Sequence, residues 1–354
     1  MVRIRFEAKR LAGLPILAAC MAASAGSALA ASCTTESQMT ATQRDAIVSA
    51  ARDMATDIQR GSVMGLRSNT LPAVAAQFDG IAAAVNKLLP LIQHATITVD
   101  EVYDLDASSN GAGSQRTEFF CGSPVVVMTF DSLPAGKYAL AFVHMTGVAK
   151  PQQIALILAN SGNDRWMLAG IQSKAMTEDG HDGLWYWVAA RNYAHQNKKW
   201  DAWIYYHLAN NLLDPAEFVS SPHLQKLQQE TNDARPEGFP EQNPVSIVHQ
   251  GTAFQIGAVG TTTTFGALDL DVHYFPDAAQ SAQLRDPQSA RKQVVDVMSA
   301  LLTLHPELRD AFHGIWVHAD SGNATLFALE LPMSGVAASS APASTRSMNT
   351  PMQN

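Results

Sequence analysis

Residues 268–275, LDLDVHYF, alternate between apolar and polar side chains. In an extended strand Asp269, Asp271 and His273 fall on one face and Leu268, Leu270, Val272 and Tyr274 on the other. Two carboxylates and an imidazole are suitable ligands for a divalent metal. A further ligand is then needed, and His318, on a neighbouring candidate strand, is the one the sequence offers. The same alternation also describes the wet face of a half-exposed antiparallel sheet, where Asp and His are ordinary. The tight His or Cys spacing of common zinc and iron sites is absent, so no cofactor is called for.

His144 stands on the strand face that also carries Tyr138, Leu140 and Phe142. An imidazole among apolar neighbours serves as a general base or ligand donor in some proteins and as a satisfied core residue in more. No nucleophile or orienting carboxylate can be assigned to it from the sequence, so His144 is the sole catalytic candidate and an enzyme is not the leading expectation. TEDGHDGLW, residues 177–185, gathers Glu178, Asp179, His181 and Asp182 without the spacing of a calcium loop, and reads as a turn at a cleft edge. The chain has no G-x-S-x-G, no P-loop, no G-x-G-x-x-G, no H-E-x-x-H and no C-x-x-C.

Residues 183–215 hold four of the six Trp and four of the seven Tyr. Asp182 can cap a helix from about 184 to 196, Asn197 can turn the chain, and a second helix runs to 213. Both helices are apolar on more than one side, which calls for burial between neighbours, so the cluster is expected to cement a core rather than present a ligand platform. Pro222 opens a third helix through about 230.

Cys33 and Cys121 are expected to pair in an oxidising compartment. That compartment is indicated by residues 1–30, whose basic head (Arg3, Arg5, Lys9, Arg10), Ala-rich run and small residues at 28–30 have the layout of a secretory signal. Leu17-Ala18-Ala19-Cys20 also matches a lipidation box, so cleavage after Ala30 and lipidation at Cys20 are the two alternatives. Of 24 Lys+Arg and 32 Asp+Glu, the segment removes four and one, leaving 20 against 31 and a net charge of −11. Without a basic stripe, nucleic acid is a poor partner, and beyond the signal no apolar run is long enough to span a bilayer.

The elements that position these residues follow from periodicity. Thr40 with Gln43 forms a capping box for a helix to Gly61, and a second helical stretch covers 71–93 with an interruption at Gly80. The period then becomes two through ATITVDEVYDLD, TEFFCGSPVVVMTF, GKYALAFVHMTG, QQIALILAN and DRWMLAGIQSK, an antiparallel meander. Over residues 38–175 this order resembles the NTF2-like, cystatin-related α+β group, with DIQRGSVMGLRSNTLP and DRWMLAGIQSK as the nearest local echoes. The resemblance implies a curved sheet around a helix, with a pocket on which Tyr138, Phe142 and His144 would lie. The hairpin resembles a single tetratricopeptide unit through Ala190, Tyr193, Ala202, Tyr206 and Ala209. It departs from that pattern with Tyr186 in the usual Trp position and with Pro215 one residue late.

The expected organisation is a signal at 1–30, an NTF2-like α+β domain at 31–177, and a hairpin with its third helix at 178–235. A linker at 236–244, a small α+β domain at 245–333 and a disordered tail at 334–354 complete it. The fold class is α+β. The expected function is an exported, periplasmic or secreted, binding or scaffolding protein for an unknown small molecule or envelope protein. The alternative is an envelope isomerase or hydrolase built on the pocket around His144.

Overall fold

The computed structural model describes residues 31–111, 115–122, 125–162, 165–336 and 344–345. The expected signal, Cys20 and most of the C-terminal tail lie outside the described residues.

The chain is α+β. Strand β1 (Ser32–Thr35) precedes helix α1 (Ala41–Gln59), whose capping box is complete: Thr40 Oγ1 accepts from Gln43 N, and Gln43 Oε1 accepts from Thr40 N. Ile47, Ala51, Met54, Ala55 and Ile58 form its buried stripe, the 3.6-residue period seen in the sequence. The stretch expected as one helix with a break at Gly80 is two helices, α3 (Pro72–Ala75) and α4 (Asp79–Ile92), preceded by a short α2 (Val63–Ser68). Leu71 N donates to Leu168 O, tying the start of α3 to the sheet, and the break between the two helices falls at residues 76–78. Gly80 simply joins the first turn of α4.

Strands β2 (Thr96–Asp106), β5 (Lys137–Thr146), β6 (Gln152–Asn160) and β7 (Trp166–Ala175) make an antiparallel sheet in the order β1-β2-β5-β6-β7. One face, with Ala139, Ala141, Val143, Ile154 and Leu156, packs on α1 and α4. The intervening β3 (Arg116–Cys121) and β4 (Val126–Asp131) do not join the meander as the sequence suggested. They form a separate sheet, β10-β4-β3, with β10 (Val219–Ser220), a strand donated from beyond the helical hairpin. This second layer covers Tyr103, Leu105, Leu140 and Phe142 on the other face of the main sheet. Cys33 and Cys121 are bonded, with Cα atoms 5.3 Å apart, and so fasten β1 to β3.

The short β8 (Thr177–Glu178) and β9 (His181–Asp182) make a tight hairpin with Asp179 and Gly180 at positive φ, leading into α5 (Gly183–His195). Asp182 caps α5 by accepting from Trp185 N at 2.8 Å. Asn197 takes the left-handed conformation and starts α6 (Lys199–Leu213), followed by α7 (Pro222–Asp233).

In the last third, β11 (Val245–His249), β12 (Thr252–Thr262) and β13 (Asp269–Phe275) run antiparallel. Helices α8 (Ala278–Gln283), α9 (Pro287–Leu304) and α10 (Leu308–Ala311) then cross to β14 (Gly314–Ser321), which lies parallel to β13. A parallel pair needs such a crossover, whereas antiparallel neighbours need only a turn. β15 (Ala324–Pro332) closes one edge, and β16 (Ser344–Thr345) pairs with β11 at the other. Within the stretch expected to be a disordered tail, Val336 is buried and these two residues are in a strand.

The aromatic helix pair belongs to the same buried cluster as this second sheet and α9. Tyr186, Trp187, Trp200, Trp203, Tyr205 and Tyr206 are all buried. Helix α6 is enclosed nearly all round, but α5 differs from expectation: Leu184, Trp185 and Val188 are exposed. Leu184 borders a cavity, and Trp185 stacks on His181, ring centroids 3.7 Å apart. The first sheet is locked to this body by polar contacts. Lys174 Nζ donates to the carbonyls of Leu212 (2.6 Å) and Asp214, at the end of α6. Lys150 Nζ donates to Thr263 Oγ1 at 2.8 Å, and Thr263 Oγ1 donates to Glu178.

Candidate functional site

Two constellations carry chemistry. The first is a cavity of about 360 Å³ where the main sheet, the helical hairpin and α7 meet. Tyr103 and Phe142 come from the sheet, Leu184, Trp187 and Leu213 from the hairpin, and His223 and Leu224 from the first turn of α7. Its walls are mainly apolar, while Asp100 and Glu101 supply carboxylates on one side. Burial, reinforced by the neighbouring Glu101, raises the Tyr103 phenol, so it stays protonated.

Of the residues singled out in the sequence, Phe142 lines this cavity. Tyr138 shares its strand face but lies deeper in the second layer, its hydroxyl donating to Pro134 O at 3.0 Å. His144 stands at the rim, half-buried. Its Nε2 is 3.3 Å from Gln153 Oε1 and its Nδ1 is 3.7 Å from Asp100 Oδ1, and both partners line the cavity. The carboxylate that sequence reasoning could not assign is therefore Asp100. It was hidden because β2 carries a register shift between Val99 and Glu101, so Asp100 is an extra residue that simple alternation misplaces. A larger hollow of about 680 Å³ lies between β4, β7 and β10, but its lining by Arg116, Asp131, Gln172 and Glu217 is more open and more polar.

The second constellation is on the outer face of the six-stranded sheet. The structure brings Asp271 and His273 together with His318, one ligand atom from each lying within 4.8 Å of the others. His318 is opposite His273 in the parallel register of β13 and β14, and their rings stack with centroids 4.5 Å apart. His318 Nε2 is 3.0 Å from Asp271 Oδ1, and His273 Nε2 is 3.6 Å from Asp271 Oδ2. Behind them His273 Nδ1 is 2.6 Å from Asp320 Oδ2, and Thr325 Oγ1 donates to Asp320 Oδ1 at 2.6 Å.

Asp269 is not brought into this group. It begins β13, is fully buried, and faces His313, whose Nδ1 is 3.4 Å from its Oδ1. Alternation identified its face correctly but not its surroundings, because the start of β14 closes over it at Gly314. Burial is the largest influence on His318 and lowers its pKa, which favours the neutral imidazole. At Asp320 burial is outweighed by the hydrogen bonds with Thr325 and His273 and by imidazole charge, so the carboxyl is held below its ordinary range.

Compared with known proteins, the chain matches no family model, no curated protein and no solved structure. No helix among the described residues is long and apolar enough to cross a membrane.

Proposed function

We propose that this is an exported, non-enzymatic binding protein, and that its ligand is a small, mostly apolar molecule with a cationic or hydrogen-bond-donating end. The observation that carries the reading is the junction cavity. It is within the size range of ligand pockets, is walled mainly by aromatic and aliphatic side chains, and takes its two carboxylates, Asp100 and Glu101, from one strand. Its lining comes from the main sheet, the β4–β10 layer, the hairpin and the start of α7, so a bound molecule would contact all of them together. The paired cysteines and the signal-like N-terminus support export. The NTF2-like character of the first sheet and the tetratricopeptide-like character of the hairpin belong to the same proposal, resting on the sequence patterns given above.

One observation favours a second reading. His144 stands beside the cavity with Asp100 Oδ1 3.7 Å from Nδ1 and Gln153 Oε1 3.3 Å from Nε2, and an imidazole placed there is a candidate general acid–base group for a bound substrate. On that reading the protein is an envelope isomerase or hydrolase.

A thermal-shift screen of neutral and cationic amphiphiles tests the binding proposal, because a ligand that prefers the native state raises the unfolding temperature. Hits must lose their effect in Leu184→Trp, which narrows the cavity mouth. A stabilising ligand that is chemically converted by wild type but not by His144→Gln selects the enzyme reading instead.

A further inference from the structure

The outer face of the second sheet carries a group of side chains that the junction cavity does not use. We propose that Asp271, His273 and His318 form a mononuclear site for a divalent first-row transition ion of the zinc class, with Asp320 and Thr325 fixing one imidazole from behind.

Three features support the assignment independently of one another. The first is the donor set. Two imidazoles and one carboxylate suit zinc, iron, cobalt or nickel, whereas calcium and magnesium prefer oxygen ligands throughout. The second is a pair of buried atoms without partners. His318 is 8% exposed, and its Nε2 and Asp271 Oδ1 are both shut off from solvent. They are 3.0 Å apart, yet neither makes a hydrogen bond among the described residues. The contact is off the line of a hydrogen bond, so a proton on Nε2 satisfies the pair poorly, whereas a cation shared by the two atoms would meet the bonding each lacks. The third is the support behind His273. A Nδ1–H pointing at Asp320 leaves the Nε2 lone pair on the Asp271 side, and the Thr325 hydroxyl in turn holds Asp320. Such a carboxylate–imidazole relay orients metal-binding histidines generally.

The surroundings leave room for an ion and its remaining ligands. The cross-strand neighbours of the three donors include Ala258, Gly260 and Ala328, and a Cβ at Gly260 would meet nothing within 4 Å. Trp316 leans over His318 at 4.1 Å between ring centroids, and Phe265 stands edge-on to Trp316 at 5.1 Å, which gives the site one apolar wall. The donor atoms lie within 4.8 Å of one another, close to the separations that bonds of about 2.0–2.2 Å to a single ion span. Three protein donors leave a coordination position for water or a ligand oxygen.

The test uses the full chain without a histidine tag, stripped with chelator and titrated with Co²⁺ under visible absorption, then with Zn²⁺ in competition. Wild type is expected to bind one equivalent of Co²⁺ with ligand-field bands, to release it to Zn²⁺, and to unfold at a higher temperature when loaded. Asp271→Asn and His318→Ala each abolish the saturable bands. Asp320→Asn, which does not touch the ion, weakens binding by about 10- to 100-fold. The proposal is overturned if wild type shows no saturable Co²⁺ binding. It is equally overturned if the Asp271→Asn, His318→Ala double variant still binds one equivalent, which would place the ion among other histidines. Should His318→Ala fail to fold, Asp271→Asn alone decides, with near-ultraviolet circular dichroism as the check on its fold.

Discussion

Arg191 holds Glu230 with two hydrogen bonds, Nε to Oε2 at 2.7 Å and Nη2 to Oε1 at 2.8 Å, joining α5 to α7. The same carboxylate accepts from Trp187 Nε1 at 2.7 Å, and the Arg191 guanidinium lies 4.4 Å from the Trp187 ring. These bonds hold Glu230 below the ordinary carboxylate range. Because Trp187 also lines the junction cavity, the clamp fixes one of its walls.

Glu230→Gln therefore removes the charge while keeping the shape. Hydrogen bonds to charged groups contribute about 1.5–3 kcal/mol, but partial exposure of this pair reduces that, so a loss of about 1–2 kcal/mol is expected in urea unfolding. Glu230's folded pKa is depressed, so its contribution is present above the unfolded value and is lost as pH falls through the folded one. The wild-type advantage over the variant should shrink in acid. A constant difference from neutral pH to pH 3 would contradict the clamp.

Asp201 gives the opposite pH dependence. It is fully buried in the first turn of α6, and neither carboxylate oxygen has a hydrogen-bond partner among the described residues. Burial, helped by the charges of Glu307 and Asp310 and opposed by Lys198, raises its pKa to about 7. Between the unfolded value of about 3.9 and this raised value the folded chain binds the extra proton. Stability attributable to Asp201 is thus greatest below that window, falls as pH rises through it, and stays low above. Asp201→Asn should be more stable than wild type at pH 8 by about 1–3 kcal/mol and gain nothing at pH 4. Equal denaturation midpoints of the two proteins at pH 8 would show that Asp201 ionises without cost.

The Cys33–Cys121 bond spans 88 residues and ties edge strand β1 to β3. Cross-linking a loop of this length restricts the unfolded chain, and its removal generally costs about 2–5 kcal/mol. Cys33→Ala with Cys121→Ala should lower the unfolding temperature, and adding reductant to the double variant should change nothing further. A double variant that melts with wild type would show that β1 is held by its ladder alone.

Much of the fold was legible because local signals agreed with tertiary demands. The capping box at Thr40, the Asp182 cap, the Asn197 turn and the alternation of β13 each rest on neighbouring residues, and each has a counterpart in the structure. What could not be read depends on distant chain. The β3–β4 pair leaves the meander because β10, from beyond the hairpin, completes it. The pairing of His144 with Asp100 depends on a bulge; His318 is the further ligand the sequence offers, but its register opposite His273 is set by the parallel β13–β14 pair. Periodicity placed Asp269 on the correct face, but no periodicity reports that Gly314 and His313 enclose it.

The central claim is that the seam between the main sheet, the aromatic helix pair and α7 is a ligand site. Fluorescence titration with N-phenyl-1-naphthylamine, a small apolar amine, tests it most directly. Saturable one-to-one binding is expected, weakened at least about tenfold, or about 1.4 kcal/mol, by Leu184→Trp and unchanged by Asp271→Asn on the far sheet. Binding that fails to saturate, or that ignores Leu184→Trp while the variant remains folded, would contradict the account.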